Sequence, residues 1–299
     1  MSSNLPIGIF DSGVGGLTVY RALHERLPNE HFIYLGDTAR VPYGTKSLST
    51  VERYGIENAK FLEAHGIKLL VVACNTASAL ALPAIRNAIA VPVIGVIEPG
   101  ARAAIAVAAG KKIGVIATEA TVNSGAYSSA MARLDSRAEV IERACPLFVP
   151  LAEEGWAETD VARAVAEQYL SDFKGQDIGA LVLGCTHYPI LRELISDVVG
   201  AQVQLIDSGE AAAGEVLMLL ESGEGKVDAA GEGLPRRVSS ISDGAAGDPR
   251  ARQLCDDLDH FYVTDAAERF AKVAERFLGM SPSVLEAVEV WGHDELRTY

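Results

Sequence analysis

Two of the four cysteines stand in matching places. Cys74 follows the apolar run Leu70-Val-Val-Ala, and Cys185 follows Leu181-Val-Leu-Gly. Small polar residues come next in both cases, Asn75-Thr76 and Thr186-His187. A thiol just past the C-terminal end of a buried parallel strand sits where α/β sheets bind ligands. The helix expected behind it favours the thiolate. Buried cysteine is also a common small hydrophobe, and that reading suffices for one cysteine alone. Two in the same context point instead to a pair of acid/base thiols. Cys145, in the apolar connection Ala-Cys-Pro-Leu-Phe, and Cys255, in Gln-Leu-Cys-Asp-Asp, lack that context and read as core and as a helix or loop position. The wide spacing contains no Cys-x-x-Cys, so neither a zinc site nor a redox dithiol is indicated.

Other polar groups gather at strand ends. Gly13-Val-Gly-Gly16 follows a strand and opens a helix, beside Asp11 and Ser12. Thr18 occupies the third-glycine position of the dinucleotide fingerprint, and no Gly-Lys-Ser/Thr follows, so this loop is neither of the two familiar nucleotide loops. It is a tight turn with exposed N–H groups. Asn75, Thr76, Thr118, Thr121 and Thr186 can each satisfy a carboxylate or an ammonium group, and each also suits a helix cap. His187, two residues after a candidate thiol, is placed to adjust its ionisation. Tyr43-Gly44 lies in a turn whose backbone N–H groups could hold a carboxylate. Glu153 and Glu154 read as the solvated start of a helix after Pro150.

The elements that must position these groups alternate. Strands are expected at residues 7–10, 31–35, 69–73, 91–96, 112–117, 140–142, 180–183 and 203–206. Helices are expected at 17–26, 51–64, 78–88, 124–134, 160–173, 190–199, 210–220 and 266–278. This order predicts an α/β fold with largely parallel sheets covered on both faces. Residues 223–248, rich in Gly, Ala, Ser and Asp, read as loops with a possible strand at 236–240, and 284–290 as a short helix. An internal echo joins the two cysteine segments, and a second joins Phe10-Asp-Ser-Gly13 to Ile206-Asp-Ser-Gly209. Both fit two lobes of similar build facing one another.

Bulk properties narrow the classes. The chain has 299 residues, 49% hydrophobic and 22% charged, which suits two domains or one large unit with a full core. A formal net charge of −14 and 6% aromatics give no support to a nucleic-acid role. No signal-peptide pattern and no run long enough to span a membrane is evident, so a cytoplasmic location without membrane attachment is expected.

Six segments then converge on one family. Gly8-Ile-Phe-Asp-Ser-Gly-Val-Gly-Gly-Leu17, Tyr34-Leu-Gly-Asp-Thr38, Val41-Pro-Tyr-Gly44, Val72-Ala-Cys-Asn-Thr-Ala-Ser78, Cys145-Pro-Leu-Phe-Val-Pro150 and Leu183-Gly-Cys-Thr-His-Tyr-Pro189 together resemble the glutamate racemases. The signal runs from residue 8 to about 220. The resemblance implies two similar three-layer α/β lobes with the active site in the cleft between them, one built from residues 1–97 plus 208–299 and the other from 98–207. It implies interconversion of L- and D-glutamate by two thiols, without pyridoxal phosphate, other cofactor or metal, to supply D-glutamate for peptidoglycan. Cys74 and Cys185 would be the opposed acid and base. Asp11 would assist Cys74, and His187 with Glu153 would assist Cys185. Asp11, Ser12, Tyr43, Gly44, Asn75, Thr76, Thr118, Thr121, Thr186 and His187 would hold the substrate. A homodimer is implied. Some members of that family carry an N-terminal extension and need an activator; only six residues precede Ile7, which argues against such dependence and leaves the question open. Two rival readings stand beside this one: a racemase of the same superfamily acting on aspartate or another small acid, and a two-lobed binding protein for an acidic ligand.

Overall fold

The computed structural model describes residues 4–222 and 252–291. The chain opens with β1 (Ile7–Asp11), α1 (Leu17–Arg26), β2 (Phe32–Gly36), α2 (Leu48–Ala64), β3 (Leu69–Val72), α3 (Asn75–Leu80), α4 (Leu82–Ala88) and β4 (Val93–Gly95). It continues through α5 (Ile97–Ala108), β5 (Lys112–Ala117), α6 (Glu119–Ser124), α7 (Ala126–Leu134), β6 (Val140–Ala144), α8 (Phe148–Glu153), α9 (Asp160–Leu170), β7 (Ile178–Gly184), α10 (Arg192–Val199), β8 (Gln204–Asp207) and α11 (Ser208–Ser222). The last described elements are β9 (His260–Val263), α12 (Ala267–Leu278) and β10 (Val284–Ala287).

The strands form two sheets, ordered β10-β9-β2-β1-β3-β4 and β6-β5-β7-β8. Every pairing is parallel. Parallel strands covered on both faces bury alternate side chains in opposite directions. Leu69 and Val71 of β3 accordingly join one core with α1, α11 and α12, while Leu70 and Val72 join another with α2, α3 and α4. Likewise Leu181 and Leu183 of β7 pack with α8, α9 and α10, while Ala180 and Val182 pack with α5 and α7. Each sheet is thus the middle layer of a three-layer lobe.

In both lobes the connections reverse direction once. β1 leads outward to β2 and β3 returns on its other side; β5 leads to β6 and β7 returns. The strand ends beside such a reversal splay apart and leave a crevice for ligands. Asp11 and Cys74 lie at the first reversal, Thr118 and Cys185 at the second. The smaller echo is structural too: Asp207 accepts Gly209 N–H at 2.7 Å, the same turn by which Asp11 accepts Gly13 N–H at 2.9 Å.

Several expectations change. The helix expected at 78–88 starts earlier and divides into α3 and α4, and the one at 124–134 is the second of a pair, α6 and α7, broken at Gly125 (φ +61°). Residues 284–290 contain a strand, β10, and no helix: Val284–Ala287 pairs in register with His260–Val263. Glu153 ends α8 rather than starting a helix: Pro150 sits in the first turn of that helix, where its missing N–H is tolerated, and Glu154 is the C-cap. Cys255 lies in a loop at φ +60°. The expected loops and strand within 223–248 fall outside the described residues.

A buried polar knot fastens the last segment to the first sheet. Asp259, fully buried, accepts Tyr20 Oη–H at 2.7 Å and Phe32 N–H at 2.9 Å, and pairs with Arg252 at 2.9 Å. Removing one partner of a buried ion pair strands the other charge. Asp259→Ala is therefore expected to cost about 3–5 kcal/mol, read as a lower urea midpoint with an unchanged slope; a loss below 1 kcal/mol would show that the knot does not hold this segment.

Candidate active site

Cys74 caps α3, with Ala77 N–H donating to its sulfur at 3.5 Å. Its thiol also meets Ser12 Oγ at 3.4 Å. Burial pushes the Cys74 thiol up to about 12, the Asp11 carboxylate adds to that, Ser12 and Ala77 oppose it, and charge on Cys185 raises it further. The helix-start effect expected from sequence is present, but α3 has only six residues and Cys74 is buried, so desolvation wins. Thr186, next to Cys185, reaches Asp11, next to the Ser12 that meets Cys74, so the two sulfurs belong to one cleft. Like charges on two such sulfurs disfavour double ionisation.

Cys185 follows β7 and lies 3.8 Å from His187 Nδ1. His187 Nε2 is 3.0 Å from Glu153 Oε1. Burial opposes charging of this imidazole, yet the Cys185 sulfur and the Glu153 carboxylate together outweigh it and raise His187 to about 10. The hydrogen bond to His187 in turn holds Glu153 below the usual carboxylate range, against its burial, with help from Arg269. Neighbouring Glu154 is exposed and meets Arg269 at 3.4 Å. The geometry therefore separates the two glutamates, which sequence alone leaves adjacent.

Asp11 is fully buried; desolvation raises its carboxyl, and the His187 charge and the N–H groups of Gly16, Gly13 and Ser12 lower it. Thr186 Oγ1 donates to Asp11 Oδ1 at 3.5 Å, and Thr18 Oγ1 donates to Thr186 O at 2.8 Å. The glycine loop thus touches the opposite lobe. A Cβ on Gly15 would lie 2.5 Å from the His187 ring, closer than real Cβ contacts. A Cβ on Gly44 would lie 2.9 Å from Thr118 Cβ. These two glycines are where backbone must pass between the lobes.

Thr76, Thr118 and Thr121 form a triangle of hydroxyls at 2.9, 3.2 and 3.0 Å, joining the lobes beside Cys74. Asn75 Oδ1 accepts Tyr127 Oη–H at 2.7 Å, and its Nδ2 donates to Ser208 Oγ at 3.3 Å. One side-chain proton of Asn75 remains for a ligand. The Tyr43 side chain is tied elsewhere, while the expectation for this turn concerned its backbone N–H groups. Its hydroxyl bonds Asp37 and lies 3.0 Å from Asn58 Nδ2, within a knot that includes Arg40. Only the backbone of this turn is available to the cleft. Ser208, Tyr127, Arg269 and Arg276 join the site's supports without having been singled out. The repeated Asp-Ser-Gly was a signal for Ser208; nothing local marks the other three.

A cleft with two buried thiols on facing strand ends matches a known architecture. The sequence profile of the Asp/Glu/hydantoin racemases matches residues 7–216. The chain belongs to that family. It is 49% identical to the glutamate racemase of Geobacter metallireducens over 91% of this chain and 92% of that protein. The structure of a glutamate racemase isoform from Bacillus anthracis superposes with TM-score 0.81 at 36% identity, covering 95% of this chain and 97% of the other. That of the Francisella tularensis glutamate racemase in complex with D-glutamate gives TM-score 0.80 at 38% identity, covering 96% and 98%. The two-lobe racemase fold expected from sequence is the fold observed.

The raised His187 has a consequence for stability. A histidine raised from 6.5 to about 10 on folding stabilises fully below pH 6.5, and that contribution is lost as pH rises toward about 10. Urea unfolding at successive pH values is expected to show this decline in the native chain and a flatter limb in His187→Asn. Parallel curves for the two proteins would count against the Cys185–His187–Glu153 arrangement.

Proposed function

We propose that this racemase interconverts L- and D-glutamate by a cofactor-independent two-thiol mechanism. The observation that carries the reading is the pair of buried thiols, each with its own polar partners, sharing one space between two parallel sheets. Inversion at an α-carbon needs a base on one face and an acid on the other. A thiol pair holding one proton presents both at once. Cys74 as thiolate takes the α-proton of D-glutamate while the Cys185 thiol delivers one to the opposite face; from L-glutamate the roles exchange. Each turnover reverses the protonation of the pair and leaves substrate atoms otherwise unchanged.

The α-hydrogen is a weak acid, so the cleft must favour the developing carbanion by positioned donors and by exclusion of water. Asp11 and Ser12 serve Cys74; His187, held by Glu153, serves Cys185. A proton moving onto the Cys74 sulfur passes beside Asp11, whose raised carboxyl is suited to exchange one. The hydroxyls of Thr76, Thr118 and Thr121, the remaining Asn75 proton, Thr186, and the backbone of Tyr43 and Gly44 hold the substrate's carboxylates and ammonium group. The names of the similar glutamate racemases support glutamate over aspartate.

The lobes are proposed to divide at residues 97/98 and 207/208, giving 1–97 with 208–299 and 98–207. The helix α5 packs with the four-stranded sheet's core, which agrees with the first of these boundaries. A homodimer in the cytoplasm, supplying D-glutamate for peptidoglycan, completes the proposal. No described helix is long and apolar enough to cross a membrane.

Incubation with L-glutamate in deuterium oxide, without added cofactor, tests the reading. Circular dichroism is expected to decay to zero as the α-position gains deuterium. Cys74→Ser and Cys185→Ser should each lower kcat/KM by about 10²–10⁴-fold, the usual contribution of a positioned acid or base. Reaction of aspartate alone would move the substrate assignment, and tight binding of glutamate with neither exchange nor racemisation would replace catalysis with binding.

A further inference from the structure

The last described helix, α12, reaches the second lobe at the end of α8. Its apolar side, Phe270, Val273, Ala274, Phe277 and Leu278, packs in the core beneath the six-stranded sheet. Its polar edge meets the end of α8. Arg269 Nη2 lies 3.5 Å from Glu153 Oε2 and 3.4 Å from Glu154 Oε1, and Arg276 donates to the carbonyl of Glu153. The Phe277 ring stands edge-on to His187, centroids 5.8 Å apart, and the Phe277 carbonyl is held by Arg21. Ala152, the residue before Glu153, is buried in the first lobe's core although α8 belongs to the second.

Glu153 thus has its carboxylate, its carbonyl and its preceding side chain fixed by the first lobe, and the ring that it meets is backed by the same helix. We propose that α12 is a positioning clamp for the Cys185 half of the acid/base pair, with Arg269 and Arg276 holding Glu153 against His187. This deepens the racemase reading and rests on it. The Cys74 half is tied differently: Ser12 and Asp11 come from the lobe that carries Cys74 itself, and the second lobe reaches Asp11 through the Thr186 hydroxyl. The clamp makes the assistance of one thiol conditional on contact between lobes. If the lobes separate, Glu153 loses both guanidinium partners and His187 loses its backing together. The charged and titratable groups around this imidazole are Cys185 and Asp11 on the cleft side, and Glu153 with Arg269 behind it.

The clamp is tested without turnover, by following iodoacetamide alkylation of each cysteine against pH by peptide mass spectrometry. In Arg269→Gln with Arg276→Gln, a looser Glu153 supports the imidazolium less well, and a thiolate beside it is less favoured. The Cys185 profile is expected to move up by about one pH unit, a tenfold fall in thiolate at fixed pH, while the Cys74 profile stays in place. Arg269→Lys, which keeps the charge, should restore most of the shift. In a Glu153→Gln background the arginine changes should add nothing. An unmoved Cys185 profile, equal movement of both cysteines, or a full additional effect in the Glu153→Gln background would each overturn the proposal. Arg269 has a 65% exposed side chain, so Arg269→Gln alone carries the comparison if the double variant folds poorly. Because alkylation does not require racemisation, failure of the wild-type chain to racemise glutamate would remove the substrate assignment and leave the clamp to be judged by the thiols.

Discussion

The near-zero clearance between Gly15 and the Thr186-His187 segment is the constraint on which the rest of the structure depends. Chemistry on both faces of one carbon needs two reactive groups a few ångströms apart, and neither sheet can supply both from its own strand ends. Each lobe instead brings its direction-reversing crevice to the contact. Glycine is needed where the backbone of one must pass within touching distance of side chains of the other. Thr18 bonding to the Thr186 carbonyl, and the Thr76–Thr118–Thr121 triangle, fix the approach on either side.

That approach sets the electrostatics. Burial disfavours a thiolate, and Cys74 shows that tendency plainly. On the other side stands His187, with a sulfur at one ring nitrogen and a carboxylate at the other, and the two together raise it. The two halves of the site are therefore chemically unlike: a hydroxyl and a carboxyl beside Cys74, an imidazole–carboxylate pair beside Cys185. A symmetrical reaction is served by unsymmetrical surroundings. The chain's net charge of −14 does not set this local balance, which is fixed by groups buried within the cleft.

Much of this was legible in the chain. Alternating apolar runs and helical spacing marked the parallel layers, and matched contexts singled out Cys74 and Cys185 without reference to relatives. What sequence could not show was contact at long range. The strands β9 and β10 were missed because His260–Val263 is a four-residue run flanked by acidic residues, and Val284–Ala287 is half exposed with a glutamate inside it. The pairing of β9 with β2, more than two hundred residues away, and of β10 with β9 decides their form. The Tyr43 hydroxyl faces Asp37 rather than the cleft, which a Pro-Tyr-Gly turn does not reveal. The expected ease of ionising Cys74 failed because a helix start is visible in sequence and the depth of a pocket is not. Arg269 and Arg276 belong to no motif; only the packing of α12 gives them a role.

The order of the strands carries a further consequence, for the making of the protein. All four strands of the smaller sheet come from one continuous stretch, residues 112–207, and can pair as soon as that stretch has left the ribosome. The larger sheet begins first and finishes last: β2 has no neighbour on its outer edge until β9 arrives, and the core under it lacks Phe261, Phe270 and Phe277. A nascent chain therefore carries an open strand edge and an unfilled apolar face through most of its synthesis. The part of the molecule that holds Cys74 becomes a finished surface only when almost the whole message has been read.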